Sequence, residues 1–138
     1  MTAGRGVVDT NVVVLMRRLA RDSLPEQPVI TTITLAELAV GPLVAADPVT
    51  RARRQEHLRF AEVSFPVLPF DAAAARAFGT VAAALRVAGR KVSARGFDAL
   101  IAATALANDL PLFTTNPDDF AGIDGLAVVA ADEHVEDR

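Results

Sequence analysis

The chain has 138 residues, of which 51% are hydrophobic and 22% charged, a composition typical of a folded domain rather than of a disordered chain. It contains no cysteine, which excludes disulfide bonds, thiolate metal sites and cysteine nucleophiles. The net charge is −3, so any binding of nucleic acid would need local basic clusters or bound cations to offset the acidic residues.

In the first half of the chain, short apolar runs alternate with stretches of helical spacing. Residues 5–9 are an apolar run that ends in a carboxylate, which is typical of a buried strand. The Gly41-Pro42 step predicts the end of a helix. The predicted elements are a strand over 5–9, a helix over 12–21, a loop over 23–28, a strand at 29–30, a helix over 32–40 and a helix from 47 to about 62.

The second half continues the alternation. Asp71 precedes an Ala-rich stretch and is suited to cap a helix there. The segment 89–95 is a basic loop. The predicted elements are a strand over 66–70, helices over 72–88 and 97–108, a strand over 112–114, a short helix over 117–120, a strand over 126–130 and a polar tail over 132–138.

Alternating strands and helices predict a single α/β domain over residues 1–138, a three-layer α/β/α sandwich with a mostly parallel sheet. We see no signal-peptide pattern, and the apolar runs are shorter than a bilayer span, so we expect a cytoplasmic protein without membrane contact. In such folds the site lies at the carboxyl ends of the strands. Asp9 and the segment 114–119 should therefore meet at that edge.

Two of the four candidate acids follow strands. Asp9 comes directly after the first strand, where the alternative role is a cap on the next helix. Asp119 follows the fourth strand. If Asn116 is an N-cap and Pro117 the first helical residue, Asp119 is the third and could be only a capping-box acid, and Asp118 competes with it as a ligand.

The other two acids lie within apolar helices. Glu37 should be partly buried and therefore needs a partner, either an arginine or a bound cation. Asp98 lies in the first turn of its helix, where compensation of the helix dipole is the alternative role. The apolar stripes that contain them are Ile33, Ala36, Glu37 and Val40 in one helix, and Asp98, Ile101, Ala102 and Ala105 in the other.

Four such carboxylates would repel one another unless a cation lies among them. All-oxygen ligation suits Mg²⁺ or Mn²⁺, and a site of this kind can activate water for attack on a phosphodiester. The sequence therefore predicts a metal-dependent hydrolytic site formed by Asp9, Glu37, Asp98 and Asp119.

Four motifs carry these acids in order along the chain. They are Val-Val-Asp9-Thr-Asn11, Thr34-Leu-Ala-Glu37-Leu, Phe97-Asp98-Ala-Leu-Ile-Ala-Ala-Thr-Ala and Leu-Phe-Thr114-Thr-Asn116-Pro-Asp-Asp119-Phe. Together they resemble the PIN domain family, specifically the VapC-type toxins of bacterial toxin–antitoxin pairs, over nearly the whole chain.

The resemblance implies an α/β/α fold and an Mg²⁺- or Mn²⁺-dependent endoribonuclease that cuts RNA of the tRNA or rRNA class. It also implies a homodimer and neutralisation by a cognate VapB-like antitoxin whose C-terminal segment reaches into the acidic groove. Asp9, Glu37 and Asp98 match the three main acids of the family and Asp119 matches its fourth. Polar residues expected to support the site are Asn11, Thr114 and Asn116.

Basic residues that could contact the RNA backbone are Arg90, Lys91, Arg95 and the arginines of 51–54, although each could equally belong to a solvated face. The two histidines, His57 and His134, lie on a charged helix and in the tail, which disfavours a metal-free histidine ribonuclease or a Ser-His-Asp hydrolase.

Two further functions stay open. One is a PIN-fold binding module without catalysis. The other, less favoured, is a haloacid-dehalogenase-like phosphatase. A phosphatase of that type needs a second aspartate at position 11, where this chain has Asn11. It also needs a lysine before the last acids, whereas Lys91 is the only lysine of this chain. A response-regulator-like switch is disfavoured in the same way, because it also needs a lysine at a strand end.

Overall fold

The computed structural model describes residues 2–91 and 96–133, without the side chains of Thr2 and Ala3. Arg95 and His134 therefore lie outside the described residues. The strands are β1 (Thr2–Val8), β2 (Pro25–Thr31), β3 (Val67–Leu68), β4 (Leu112–Thr114) and β5 (Val128–Ala130). The helices are α1 (Thr10–Leu15), α2 (Thr32–Leu43), α3 (Pro48–Ser64), α4 (Ala72–Val87) and α5 (Gly96–Ala107), with 3₁₀ turns at Met16–Arg18, Arg21–Ser23 and Pro117–Phe120.

The five strands form one sheet in the order β3-β2-β1-β4-β5. Every pair is parallel, as predicted. From β1 the chain moves outward through β2 to β3, then crosses to the other side of β1 for β4 and β5. The order therefore reverses between β1 and β4, and in open α/β sheets ligands bind at the carboxyl ends of the strands beside such a switch point.

Neighbouring residues of each inner strand point to opposite faces of the sheet. On one face Val7, Val29 and Leu112 join a core that is completed by α4 and α5. On the other face Val8, Ile30 and Phe113 join a second core with α1 and α3. Both faces are thus covered by helices, and the predicted α/β/α sandwich is confirmed.

The prediction of one helix over 12–21 and a loop over 23–28 was wrong. Helix α1 starts at Thr10 and ends at Leu15, and its run of three β-branched valines explains its shortness, because such residues lose side-chain freedom in a helix. Strand β2 begins at Pro25. Since β3 pairs only with Ile30 and Thr31, the first part of β2 is open on that side and tolerates prolines without a backbone donor.

Helix α2 continues through the Gly41-Pro42 step instead of ending there. Pro42 lacks an amide hydrogen, and the helix stops one residue later. The Arg54 guanidinium of α3 donates to the Gly41 carbonyl (Nη1 to O, 3.0 Å). A β-carbon at Gly41 would lie 3.2 Å from Arg54 Cδ, so glycine lets the arginine lie against the helix and satisfy its last turn.

The buried face of α2 also differs from the predicted stripe. Thr34, Leu38 and Pro42 are buried, whereas Ala36 and Val40 are exposed. Packing against α3 decides which face is covered, and the uniformly apolar composition of α2 does not encode that choice.

The remaining helices agree with the prediction in position. Asp71 accepts from the Ala74 amide at 3.0 Å and caps α4 as predicted.

Near the C-terminus, Asp132 is held by the segment after α1, since the Ala20 amide donates to its carbonyl at 2.7 Å. Within 2–91 and 96–133, no helix is both long enough and apolar enough to cross a membrane.

Candidate active site

The topology brings the four predicted acids to one edge of the sheet. Asp9 follows β1, and Asp119 lies in the Pro117–Phe120 turn that follows β4. Glu37 lies on α2, which leaves the carboxyl end of β2. Helix α5 leads into the amino end of β4, so its first turn, with Asp98, must begin near the carboxyl edge. These positions surround the switch point between β1 and β4.

Asp9 is the most buried of the four, with 5% of its surface exposed. Its Oδ1 accepts from the Val12 amide at 3.0 Å, so it caps α1 and borders the site at the same time. Burial raises the pKa of Asp9, hydrogen bonds from Thr114 and Val12 act against this rise, and the nearby Asp98 and Asp119 carboxylates add to it. Those two acids are therefore close enough to act on Asp9 electrostatically.

Glu37 is half-buried and is held by a hydroxyl group. Thr10 Oγ1 donates to Glu37 Oε1 at 2.6 Å, and Thr10 Oγ1 lies 3.3 Å from Thr34 Oγ1. Burial raises the pKa of Glu37, the Thr10 hydrogen bond opposes this, and the Asp98 and Asp9 carboxylates raise it further. Among the described residues no lysine or arginine forms an ion pair with Glu37.

Asp98 is half-buried on a helix face whose other members are packed. Ile101, Ala102 and Ala105 are all fully buried, so the predicted stripe of α5 is confirmed. Asp98 contributes to the raised pKa of both Asp9 and Glu37. It therefore lies near both the acid that follows β1 and the acid of α2.

Asp119, rather than Asp118, faces the other acids. Asp119 is half-buried and acts on Asp9, whereas Asp118 is exposed. The turn is anchored by Phe120, which is 3% exposed. Asn116 occupies the N-cap position but makes no side-chain capping bond. Its side-chain Nδ2 donates instead to Thr115 Oγ1 at 3.3 Å, so the capping role predicted for its side chain was wrong.

The hydroxyl groups around the acids were only partly anticipated. Thr114 is fully buried, accepts from the Asn116 amide at 3.1 Å and donates to Asp9. Asn11 is exposed on α1. Thr10, which contacts Glu37, was missed by the sequence analysis. The position of Thr10 next to Asp9, in the first turn of a helix, could have indicated this role, because a hydroxyl there can face the same site.

The basic candidates differ in how accessible they are. Lys91 is exposed, whereas Arg90 is half-buried and its Nη2 donates to the backbone carbonyl of Asp118. In α3, Arg51 and Arg53 are exposed, while Arg54 is engaged with α2. Among these candidates the exposed cations are therefore Lys91, Arg51 and Arg53.

Comparison with known proteins matches these features to a family. The sequence profile described as the PIN domain matches residues 6–126, which include all five helices and all four acids. The chain belongs to the PIN domain family. The order of motifs along the sequence had indicated the same family.

Individual PIN proteins are similar over most of their length. Ribonuclease VapC5 of Mycobacterium tuberculosis is 39% identical over 131 residues, which is 93% of this chain and 94% of that protein. Ribonuclease VapC8 of the same species is 36% identical over 108 residues, covering 74% of this chain and 91% of the relative. The crystal structure of VapBC-5, a member of the VapBC family of toxin–antitoxin systems from M. tuberculosis, superposes with a TM-score of 0.77 at 38% identity, covering 93% of this chain and 98% of the other.

The donor set of this PIN domain fits a hard divalent cation. The described residues that surround the four acids offer carboxylate and hydroxyl oxygens. A cation would favour the ionised forms of Asp9 and Glu37, whose pKa is raised first by burial and then by the neighbouring carboxylates. As oriented, no three acidic side chains of the described residues are grouped tightly enough to bind one ion together. Mg²⁺ is commonly held by one or two carboxylates and keeps several waters, which suits this looser arrangement.

Proposed function

We propose that this PIN domain, comprising the whole chain, is a metal-dependent endoribonuclease and the toxin of a VapBC-like toxin–antitoxin pair. The observation that carries the proposal is the convergence of Asp9, Glu37, Asp98 and Asp119 at the switch point of the sheet. The 39% identity to a ribonuclease named VapC5 over 93% of the chain supports it. Its place of action would be the cytoplasm, where RNA is available.

In this proposal Asp9, Asp98 and Asp119 would hold one or two Mg²⁺ or Mn²⁺ ions, and Glu37 would bind a metal or orient the attacking water. A bound ion of this kind supplies an activated water and neutralises charge that develops on the phosphate. The protein fixes the ligands in advance: the Val12 amide and the Thr114 hydroxyl hold Asp9, and the Thr10 hydroxyl holds Glu37. This fixed orientation is what a metal-assisted hydrolase requires.

The substrate we propose is RNA, of the tRNA or rRNA class implied by the family. With a net charge of −3, the chain must bind RNA through local cations. Lys91 and the exposed arginines of α3, Arg51 and Arg53, are accessible for phosphate contacts. Contact between RNA and Arg90 or Arg95 stays a prediction, since Arg90 already binds a backbone carbonyl and Arg95 lies outside the described residues.

The antitoxin partner we propose is VapB-like, and a groove formed by α1, the Met16–Arg18 turn and α3 suits it. Its lining includes the apolar Val14, Met16 and Phe60 and the basic Arg17 and Arg53. A second depression shares Val14 and Arg53 and includes Glu37. An amphipathic segment with acidic residues could lie there and reach the site. The homodimer implied by the family is also part of this proposal, and sedimentation of the purified chain would test it.

The test is cleavage of total cellular RNA by the purified chain. We expect cleavage with Mn²⁺ or Mg²⁺, none in EDTA, and none after Asp98→Asn, because the substitution removes a charge from the metal site without changing its size. Asp22→Asn, at an exposed aspartate in the Arg21–Ser23 turn, is the matched control and should cleave like the unaltered chain.

The other functions have distinct outcomes. A binding module would bind RNA or a protein partner without cutting RNA in any metal. A haloacid-dehalogenase-like phosphatase would hydrolyse p-nitrophenyl phosphate while total RNA stayed intact. RNA cleavage that survives both EDTA and Asp98→Asn would overturn the metal mechanism altogether.

A further inference from the structure

The C-terminal end of α4 places an arginine at the rim of the acidic site. Gly89 has a φ of +77°, a left-handed conformation that suits glycine and reverses the chain after the helix. The Arg90 amide then donates to the Leu85 carbonyl at 2.9 Å, which fixes the start of its side chain. The guanidinium reaches the turn after β4, where Nη2 donates to the backbone carbonyl of Asp118.

That carbonyl belongs to the residue immediately before Asp119. The Asp118 carbonyl also accepts from the Ala121 amide at 3.3 Å, and the Asp119 amide donates to the Asn116 carbonyl at 3.1 Å. Phe120 anchors the far side of the turn in the core. Phe120 therefore fixes the turn on the C-terminal side of Asp119, and the contact from Arg90 to Asp118 fixes it on the N-terminal side.

Arg90 also joins two segments that are distant in sequence, because its side chain, just after α4, contacts the turn after β4 across 28 residues. Its Nη1 is buried without a hydrogen-bond partner among the described residues. A hydrogen bond from a charged guanidinium is stronger than one between neutral groups, so the contact with Asp118 is suited to hold the turn.

We propose that Arg90 is a positioning residue that sets the place of Asp119 by binding the Asp118 carbonyl. The proposal rests on the proposed function, because Asp119 is assigned there as a metal-binding acid. Residues that orient metal ligands typically change metal affinity or activity about 10- to 100-fold when they are replaced. The alternative role for Arg90 is contact with an RNA phosphate.

The experiment compares Arg90→Gln and Arg90→Lys with Arg86→Gln, a control at an exposed arginine in the last turn of the same helix. For Arg90→Gln we expect about tenfold more Mn²⁺ to be needed both for half-maximal RNA cleavage and for half-maximal thermal stabilisation by Mn²⁺. KM for RNA at saturating Mn²⁺ should change less than about twofold, a difference below 0.5 kcal/mol in binding free energy. Arg90→Lys should recover part of the loss, and Arg86→Gln should show none.

A second comparison ties the effect to Asp119. In an Asp119→Asn background, Arg90→Gln should add little to the Mn²⁺ requirement for thermal stabilisation, because residues that act as a unit are non-additive. A raised KM with unchanged Mn²⁺ dependence would assign Arg90 to phosphate contact and overturn the proposal. A lower unfolding temperature without any change in Mn²⁺ dependence, or full additivity with Asp119→Asn, would overturn it as well. Failure of the unaltered chain to cleave RNA would count against the proposed function instead, since the thermal readout with Mn²⁺ is independent of cleavage.

Discussion

At the residue scale, the acids of the site depend on small polar neighbours that hold them in place. Asp9 receives hydrogen bonds from the Val12 amide and the Thr114 hydroxyl, and Glu37 receives one from Thr10. Each neighbour is close to an acid in sequence or lies at the end of an adjacent strand. The acids of the site are therefore oriented by hydrogen bonds from small polar groups, and single hydroxyl groups should have measurable effects on it.

Thr10→Val tests this directly, because valine keeps the shape of threonine and removes the donor to Glu37. Loss of a hydrogen bond to a charged group costs about 1.5–3 kcal/mol, so we expect RNA cleavage to slow by about 10- to 100-fold. Initial rates of cleavage at saturating Mn²⁺ would measure the effect. Thr10→Ser keeps the hydroxyl and should retain most of the activity. Equal rates for the valine and serine variants would show that the bond to Glu37 does not matter for cleavage.

At the element scale, a glycine in β1 leaves room for an aromatic ring of the neighbouring strand β4. A β-carbon at Gly6 would lie 2.4 Å from Cε1 and 2.8 Å from Cδ1 of Phe113, whose ring is fully buried. These two strands carry Asp9 and Thr114 at their ends. Close packing of the two strands therefore brings the polar groups of the site together.

Gly6→Ala should destabilise the fold by about 1–3 kcal/mol, the usual cost of overpacking a core. Gly79→Ala is the matched control: Gly79 lies in α4, and outside the backbone of that helix no atom lies within 4 Å of the place that an added methyl group would take. This change should raise stability by about 0.5–1 kcal/mol because alanine favours the helix. Urea unfolding of the three proteins would give both values. A Gly6→Ala protein as stable as the unaltered chain would show that Phe113 moves aside at little cost.

At the scale of the whole molecule, the clustered acids lower stability when they are all ionised. The pKa values of Asp9 and Glu37 are raised in the folded protein above their ordinary values of 3.8 and 4.5. A carboxyl group whose pKa is raised by folding stabilises the fold at pH values below its ordinary pKa. This contribution is lost as the pH rises through the folded-state pKa. Asp47 acts in the opposite sense, because its hydrogen bonds with Thr50 lower its pKa and its contribution is lost as the pH falls.

Comparing the unaltered chain with Asp9→Asn separates the contribution of the acidic site to stability from the contributions of other titrating groups. Asparagine can still cap α1 but carries no charge. In EDTA we expect this variant to melt at a higher temperature than the unaltered chain near neutral pH, with the difference shrinking as the pH is lowered through the folded-state pKa of Asp9. Added Mn²⁺ should raise the melting temperature of the unaltered chain more than that of the variant, because a ligand stabilises the state that binds it. A difference that does not depend on pH would contradict the repulsion among the acids.

Much of the architecture was determined by local sequence patterns. The apolar runs at 5–9 and 112–114, the cap at Asp71 and the packed face of α5 were predicted correctly, because each depends on spacing or on a residue adjacent in the chain. The order of the four acidic motifs was sufficient to indicate the PIN family. Parallel β-α alternation then required the acids that follow β1 and β4 to meet at one edge.

Tertiary structure alone decided the features that depend on distant residues. Strand β2 starts at Pro25 because β3 leaves that part of the sheet edge open, and α2 continues to Leu43 while Arg54 of α3 satisfies its last turn. Thr10 meets Glu37, and Arg90 meets Asp118, across 27 and 28 residues. These contacts arise from packing between elements, and no periodicity or propensity within a single segment contains that information.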